Sequence, residues 1–397
     1  MHSEQLRGLA ESRREQVVDL CRRLIQVPSP SGQESELARL VKAEMERLDY
    51  DRVWVDEVGN VIGLVAGTGG GPRVQFNTHL DHVAPGNLAD WPFPPYSATV
   101  HEGAIWGRGA SDIKGPMASQ IQAIAALKGA GLPHRAECYV VCVVNEEYGG
   151  LGTRHLIRTL PCDCAIIGEA TSNQLVRGHR GRAAVGVRFR GRSVHASAPE
   201  RGINPHYSAA RFITSLRDLP MQKDPDLGTS SVTPTLYGTD QTSPNVIPSE
   251  VTVYLDWRFV PGEDEASILQ RLQPLVADAL TDGCRGHAEI PEQTVSSYTG
   301  CQETRPLVTP PMVTREDHPA MRAARRALEA ALGWPMAPRF WRFTTDGGHL
   351  ARVGVPCIGF GPGDETVVHT VQERIESEQL VEGMAGYIAL ALALGEL

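Results

Sequence analysis

Five short segments of the chain carry histidines or carboxylates directly after apolar runs or tight turns. In the first, His79 and Asp81 follow the apolar residues 74–76. Side chains two apart in an extended chain point to the same side. Such a histidine can bind a metal through one ring nitrogen while its other nitrogen donates to the acid. A His-x-Asp pair is common, so its meaning depends on what accompanies it.

Three further segments supply acids. Glu146 and Glu147 stand side by side after the apolar run CYVVCVV, and Glu169 ends the apolar segment CAIIGE. Asp112 follows a glycine-rich turn and precedes a helical pattern, where an aspartate can also serve simply as a helix cap. Adjacent buried carboxylates repel each other unless protons or cations compensate. Sheets of this class bind ligands beyond the carboxyl ends of their strands, so the sequence predicts that these four acids and a histidine converge on one rim of the sheet.

The fifth segment, GPGDETVVHTVQERI, adds His369 near the end of the chain. For all these groups to meet at one rim of the sheet, both adjacent glutamates must face it. Neighbouring residues in a regular strand face opposite sides, so the strand must end or twist at Glu146 and Glu147. Gly149 and Gly150 follow directly and permit such a twist.

The elements that position these residues alternate between apolar runs and helical patterns. Apolar runs at 74–76, 138–144 and 164–169 indicate buried strands, and 116–129 and 150–160 have helical spacing. This alternation predicts an α/β sandwich around a partly parallel sheet. Further helices are predicted at 4–27, 34–48, 318–332 and 376–394.

The pattern changes near residue 179 to strand, helix, strand, strand and helix. The chain of 397 residues is also too long for one ordinary core. We therefore predict a catalytic domain formed by residues 1–178 and 297–397. A small α+β domain, 179–296, is inserted into it.

Composition and charge bear on partners and location. The net charge of -9 argues against a nucleic-acid partner, and the basic stretch 177–192 alternates with apolar residues as a strand with a solvated face does. Apolar runs are too short to predict a membrane-spanning helix, and the polar N-terminus lacks the apolar core of a signal peptide. The eight cysteines lack the spacing of a zinc knuckle and indicate reduced thiols. We expect a cytoplasmic protein without a membrane or nucleic-acid partner.

The five motifs THLDHVAPG, IWGRGASDIKGPMAS, VVNEEYGGLGT, IIGEAT and GPGDETVVHTVQERI together resemble the M20 metallopeptidase and deacylase family. They occur in that family's order over nearly the whole chain. Its members include acetylornithine deacetylase, succinyl-diaminopimelate desuccinylase and glutamate carboxypeptidases. GHRGRAAVGV, VHASAPERGIN, SSYTGC and VPCIGFGPGDE resemble its branch of selenium-metabolism-linked hydrolases most. The resemblance implies a zinc-peptidase-like α/β/α catalytic domain with a ferredoxin-like inserted domain that acts as lid and dimer interface.

The resemblance also implies which residues bind metal. Two divalent ions are expected, zinc in the first place, with cobalt or manganese as alternatives. One ion is held by His79 and Glu169, the other by Glu147 and His369, and Asp112 bridges them. Glutamate at position 169 fits deacylases and carboxypeptidases better than di- and tripeptidases.

The catalytic roles follow from the same resemblance. Asp81 orients His79, and Glu146 binds no metal but is the general base. Two zinc ions that share a water lower its pKa and polarise the scissile carbonyl, and a carboxylate beside that water can take its proton and deliver it to the leaving amine. The resemblance further implies a cis peptide bond between Asp112 and Ile113.

The inserted domain supplies three further candidates. A histidine at the place of His195 polarises the substrate carbonyl in family members, often across a homodimer interface, although a surface histidine is the simpler interpretation. Asn245 and Arg258 match the positions that grip substrate, and an arginine there can hold a carboxylate through two hydrogen bonds. An ion pair of Arg258 with Asp256 or Glu250 is the competing interpretation.

The predicted function is metal-dependent hydrolysis of the amide bond in a small N-acyl or N-carbamoyl amino acid that carries a carboxylate. A dipeptidase or carboxypeptidase with the same two-zinc site is the alternative within enzymes. A non-catalytic metal- or ligand-binding relative is the alternative from another class, because fold alone does not determine function. A serine hydrolase is not indicated, because no Gly-x-Ser-x-Gly motif occurs.

Overall fold

A computed structural model describes residues 3–397, which form two compact units. The first unit consists of the chain up to His179 together with Thr294–Glu303 and Met312–Leu397. The second consists of Arg180–Gln293 and Thr304–Pro311. Thr304–Pro311 forms a return segment that the sequence pattern assigns to the catalytic domain. It belongs instead to the second unit, because its strand Val308–Thr309 pairs with the strand Gly181–Arg190 of that unit.

The helices are α1 (Ser3–Glu11), α2 (Arg14–Ile25), α3 (Ser35–Arg47), α4 (Gly115–Gly129), α5 (Leu151–Thr159), α6 (Pro205–Ser215), α7 (Glu265–Ala279), α8 (Pro319–Leu332), α9 (Gly347–Arg352) and α10 (Ser377–Leu394).

The strands are β1 (Arg52–Val55), β2 (Val61–Val65), β3 (Arg73–His79), β4 (Thr99–His101), β5 (Ala104–Trp106), β6 (Glu137–Val143), β7 (Cys164–Ile167), β8 (Val176–His179), β9 (Gly181–Arg190), β10 (Val194–His195), β11 (Lys223–Asp224), β12 (Gly228–Thr229), β13 (Ser231–Thr239), β14 (Val246–Ile247), β15 (Glu250–Phe259), β16 (Arg285–Glu289), β17 (Glu292–Ser296), β18 (Gln302–Pro306), β19 (Val308–Thr309), β20 (Met312–Val313), β21 (Arg339–Phe340), β22 (Cys357–Gly359) and β23 (Arg374–Glu376).

A mixed sheet of nine strands forms the centre of the first unit. Its order is β1-β2-β6-β3-β7-β22-β8-β20, with β21 beside β8. β3 runs parallel to β6 and β7, and β22 runs parallel to β7. The carboxyl ends of these four strands therefore lie at the same edge. His79 at the end of β3 is in register with Val143 at the end of β6, and Glu169 follows β7 by two residues.

Helices cover both faces of this sheet. Phe76 and Val140 point into the larger core, which contains residues of α1, α2, α3, α4, α8 and α10. Val141 packs on the other face with Leu156 of α5, and Ile167 packs there with residues of α9. Side chains of a strand alternate between faces, so β6 and β7 contribute apolar residues to both sides of the sheet. The predicted α/β/α architecture is confirmed.

An antiparallel sheet, β13-β15-β9-β16, forms the second unit, and β19 also pairs with β9. One face carries Trp257 and other apolar residues into a core with α6 and α7. On β9, Arg182 and Arg190 pair instead with Asp256 and Glu250 of β15, at 2.7 and 2.6 Å. The basic stretch 177–192, predicted as one strand, is in fact divided between β8 of the first unit and β9 of the second, and its part on β9 has one apolar and one charged face.

The helix predicted at 4–27 is in fact two helices, α1 and α2. Ser12 Oγ donates to the carbonyl of Leu9 at 2.7 Å, and the chain turns at Arg13 before α2 begins. The other predicted helices of this unit end within one or two residues of their predicted bounds. Across residues 3–397, no helix is at once long and apolar enough to cross a bilayer.

Candidate active site

Two overlapping groups of ligand atoms lie beyond the carboxyl ends of the parallel strands. One group is His79, Asp112 and Glu169, the other is Asp112, Glu147 and His369, and the atoms of each lie within 4.8 Å of one another. Asp112 belongs to both, because its Oδ1 is 2.9 Å from His79 Nε2 and its Oδ2 is 2.9 Å from His369 Nε2. The structure thus brings all five predicted ligands together, with Asp112 in the middle.

A tight turn at residues 110–114, just before α4, presents Asp112 to both histidines. The turn begins after Gly109, whose φ of 82° strongly disfavours any residue with a side chain. The peptide bond between Asp112 and Ile113 is cis, as predicted. Asp112 is almost wholly buried, so its carboxylate has little access to solvent.

The adjacent glutamates reach one site because the chain leaves its extended course after β6. Asn145 has a φ of 54°, and Gly149 and Gly150 have φ values of 101° and 75°. Glu147 Oε1 then lies 3.1 Å from His369 Nε2. β6 therefore ends shortly before Glu146 and Glu147, as predicted for two neighbouring glutamates that face one site.

Asp81 orients His79 in a way that the sequence does not predict. His79 Nδ1 lies 2.9 Å from the main-chain oxygen of Asp81 and 3.5 Å from its carboxylate. The carboxylate accepts hydrogen bonds from the main-chain N–H of Glu146 at 3.0 Å and of Glu147 at 3.2 Å, and from Ser31 Oγ at 2.6 Å. Asp81 therefore orients the histidine mainly through its carbonyl, while its side chain fixes the turn that carries both glutamates.

We expect Asp81→Asn to lower the free energy of unfolding by about 1–3 kcal/mol, because an amide leaves at least one N–H of this turn without an acceptor. Urea unfolding at neutral pH measures the change. Glu57→Gln is the control, since the side chain of Glu57 is largely exposed. Equal stability of Asp81→Asn and wild type would contradict the role assigned to this carboxylate.

The electrostatics of the site match a cation-binding centre. Burial, and after it the charge of Asp112, raises the pKa of Glu169 to about 8. Burial and the charge of Asp346 raise the pKa of Glu146 well above its usual value. Burial also opposes ionisation of Asp112, but hydrogen bonds with the two histidines outweigh it and hold its pKa low. Full ionisation of such a cluster requires compensating positive charge.

The donor set itself fits a pair of divalent transition-metal ions. Two imidazoles and three carboxylates are ligands that zinc accepts, and cobalt and manganese accept them too. Each group offers three protein ligands, which leaves coordination positions for water or substrate, as in catalytic zinc sites. Structural zinc sites, in contrast, are closed by four protein ligands.

The three predicted substrate residues lie in the second unit. His195 on β10 and Asn245, just before β14, are neighbours: Asn245 Nδ2 lies 3.5 Å from His195 Nε2. Both side chains are exposed. Arg258 on β15 makes an ion pair with Asp256, with Nε 2.6 Å from Oδ1. The structure therefore groups His195 with Asn245, and Arg258 has the acidic neighbour that the competing interpretation names.

Asp346 is a buried acid of the site that sequence reasoning missed. It directly precedes α9, accepts a hydrogen bond from Thr153 Oγ1 at 2.5 Å, and is close enough to Glu146 to raise the pKa of that carboxyl. Its signal in the sequence is an aspartate before two glycines. The same pattern is common at ordinary helix starts, so the sequence does not distinguish an acid of the site from a helix cap.

A family profile matches most of the chain: the peptidase family M20/M25/M40 covers residues 75–393. The chain is a member of this family. The predicted family is therefore confirmed, and the protein is an M20 hydrolase of amide bonds. The alternative of a non-catalytic relative has no support.

Relatives span almost the same length as this M20 chain. YgeY of Escherichia coli strain K12 is 31% identical over 379 residues, which are 94% of this chain and 93% of YgeY. Succinyl-diaminopimelate desuccinylase of Alkalilimnicola ehrlichii is 28% identical over 365 residues, 87% of this chain and 88% of the desuccinylase.

A solved structure shows the same fold. The YXEP protein of Bacillus subtilis, described as a dinuclear metal-binding peptidase from the M20 family, has a TM-score of 0.73 at 16% identity. The match covers 97% of this chain and 99% of YXEP. The predicted fold, a catalytic α/β domain with an inserted domain, is confirmed.

Proposed function

We propose that this M20 enzyme hydrolyses the amide C–N bond of a small N-acyl or N-carbamoyl amino acid. One observation carries the proposal: two groups of metal-type ligands share Asp112, and Glu146, a further carboxylate, lies beside them outside both groups. The relative described as a desuccinylase, which aligns over most of both chains, supports an acylated amino acid as the substrate.

In this proposal each residue of the site has one task. His79 and Glu169 would hold one divalent ion, Glu147 and His369 would hold the other, and Asp112, which belongs to both ligand groups, would serve both. When bound, such a pair of ions lowers the pKa of a water molecule and polarises the amide carbonyl. Zinc is the first choice, with cobalt and manganese suited to the same donors.

Glu146 is the proposed general base. It takes the proton of the attacking water and then delivers it to the leaving amine, so that the amine departs neutral. The raised pKa of Glu146 suits this second half of the task, because a group that holds a proton more firmly can also act as the acid. The turn fixed by Asp81 keeps its backbone in place.

The second unit supplies the proposed contacts to substrate. His195 donates a hydrogen bond to the carbonyl oxygen, and its neighbour Asn245 holds the substrate beside it. Arg258 grips the substrate carboxylate. Its Nε and Nη2 donate to the carboxylate of Asp256, at 2.6 and 3.4 Å. A guanidinium has five N–H donors, so its other terminal nitrogen can still donate to a substrate carboxylate.

An exposed edge strand of the second unit, β13, supports a homodimer. β13 is an edge strand of nine residues on which Leu236 and Tyr237 are exposed, and Tyr207 of the neighbouring α6 is exposed as well. Unpaired edges of this kind are commonly closed by pairing with a second copy across a two-fold axis. We propose that the second unit dimerises there and also acts as a lid.

We also propose a cytoplasmic location. All eight cysteines are free, and six of them are buried in the part of the chain that the structure describes. Cytosolic proteins rarely carry structural disulfides, so free thiols agree with a reducing compartment.

A dipeptidase or carboxypeptidase is the second candidate function, favoured by the description of YXEP as a peptidase. A hydrolysis screen separates the two. Protein loaded with zinc or with manganese is offered N-acetyl, N-succinyl, N-formyl and N-carbamoyl amino acids beside a panel of dipeptides. We expect turnover in the first set, and turnover confined to dipeptides would contradict the proposal.

Chelation and reconstitution test the metal centre. We expect protein stripped with a chelator to lose its activity and to regain it with about two zinc ions per chain, because two ligand groups share one bridging carboxylate. Calorimetric titration gives the stoichiometry. A plateau well below one ion, or activity that is indifferent to chelation, would contradict the proposal.

A further inference from the structure

We propose that Glu373 is a positioning residue of the metal centre: its buried carboxylate fixes the turn that carries Asp112 and ties it to the segment that carries His369. The inference rests on the proposed function, because it concerns the same centre. Glu373 is not a ligand candidate, and it acts through the residues that are.

Its first carboxylate oxygen holds the turn. Glu373 Oε1 accepts hydrogen bonds from the main-chain N–H of Ser111 and of Asp112, each at 3.1 Å. Ser111 Oγ donates to the carbonyl of Arg374 at 2.6 Å and adds a third bond between the same two segments. Glu373 thus holds the backbone of Asp112 directly.

Its second oxygen is held by an arginine. Glu373 Oε2 lies 2.5 Å from a terminal nitrogen of Arg108, with the two side chains 0% and 3% exposed. The guanidinium carbon of Arg108 lies 5.2 Å from the centre of the Trp91 ring, and Gly107 N donates to the main-chain oxygen of Glu373. This second set of contacts fixes the carboxylate in the orientation that the two N–H groups require.

The geometry of the centre therefore depends on Glu373. His369 lies four residues before it, so only a short piece of chain separates the glutamate from a ligand. The contact to Asp112 joins positions 261 residues apart. Asp112 Oδ2 lies 2.9 Å from His369 Nε2. This distance depends on the hydrogen bonds of Glu373, because they join the two segments that carry Asp112 and His369.

Zinc affinity distinguishes this role from a merely stabilising ion pair. We expect Glu373→Leu to weaken zinc binding by about 10–100-fold, as loss of a group that orients metal ligands commonly does. In the double variant Arg108→Gln with Glu373→Gln, the amide oxygen at position 373 can still accept from the two N–H groups. The amide nitrogen at position 373 can donate to the amide oxygen at position 108. Zinc affinity should therefore recover most of its wild-type value in the double variant.

Glu44→Gln is the matched control. Glu44 is also buried and makes ion pairs with Arg23 of α2 and Arg47 of α3, and none of these three residues belongs to a ligand group. All variants are stripped of metal and titrated with zinc in a calorimeter, and thermal midpoints are recorded beside the affinities. We expect Glu44→Gln to lose thermal stability without losing zinc affinity.

Glu373→Asp provides a second test if the Glu373→Leu variant does not fold. One methylene shorter, it cannot reach the N–H groups and Arg108 together, and we expect it to bind zinc more weakly than wild type. Zinc affinity like that of wild type in Glu373→Asp or Glu373→Leu, or no recovery in a folded double variant, would overturn the proposal. Failure of the wild type to bind two zinc ions would instead overturn the proposed function.

Discussion

Glu146→Gln is expected to lower kcat by about 10²–10⁴-fold while the metal content stays that of wild type. Glutamine keeps the size and shape of the side chain but cannot take a proton from water. The main-chain N–H of residue 146 still donates to Asp81, so the turn keeps its geometry. The measurement is kcat at saturating substrate, with metal analysis of the same samples.

Glu147→Gln provides the contrast, because it changes the neighbouring residue by the same single atom. Glu147 belongs to a ligand group and lies 3.1 Å from His369, so its loss should appear first as weaker metal binding. Added metal should restore part of the activity of Glu147→Gln and none of that of Glu146→Gln. Near-normal turnover of metal-loaded Glu146→Gln would mean that another group is the base.

Mixing two inactive variants is expected to restore activity if His195 serves the site of the other subunit. His195→Ala and Glu146→Gln chains are each expected to be nearly inactive alone. After free exchange about half of the dimers are mixed, and one site of each mixed dimer has both groups intact. The mixture should therefore reach about a quarter of wild-type activity, a large gain over either parent.

The controls establish exchange and exclude simple addition. Chains of different mass show mixed dimers directly in native mass spectrometry. A chain with both substitutions, mixed with either parent, should stay inactive, because no site then has both groups. Parental activity in proven mixed dimers would mean that His195 serves its own chain or has no catalytic task.

Much of the candidate site could be predicted from the sequence because its ligands follow elements with strong local signals. His79 ends an apolar strand, Glu147 and Glu169 follow two others, and parallel strands have their carboxyl ends at one edge. A helical or strand period depends only on nearby residues, so it can be read along the chain. The assignment of metal roles to these residues came from the resemblance, and chemical tests decide it.

Local sequence patterns predict the structure less well where a single side chain or a distant strand pairing determines the course of the backbone. The predicted helix at 4–27 divides because Ser12 bonds to the carbonyl of Leu9, an alternative to the helical ladder that serine often takes. The return segment 304–311 joins the second unit through the pairing of β19 with β9. Neither outcome has a periodic signal.

The sequence by itself determined the fold class, the family and the five residues that gather beyond the sheet. Only the tertiary structure decided which groups surround them: the carboxylate of Asp81 accepts from the N–H groups of Glu146 and Glu147, Asp346 lies near Glu146, and Glu373 accepts from the N–H group of Asp112. These partners lie 65 to 261 residues apart in the chain. A hydrogen bond depends on which backbone N–H comes within about 3 Å of an oxygen, and no local pattern records that.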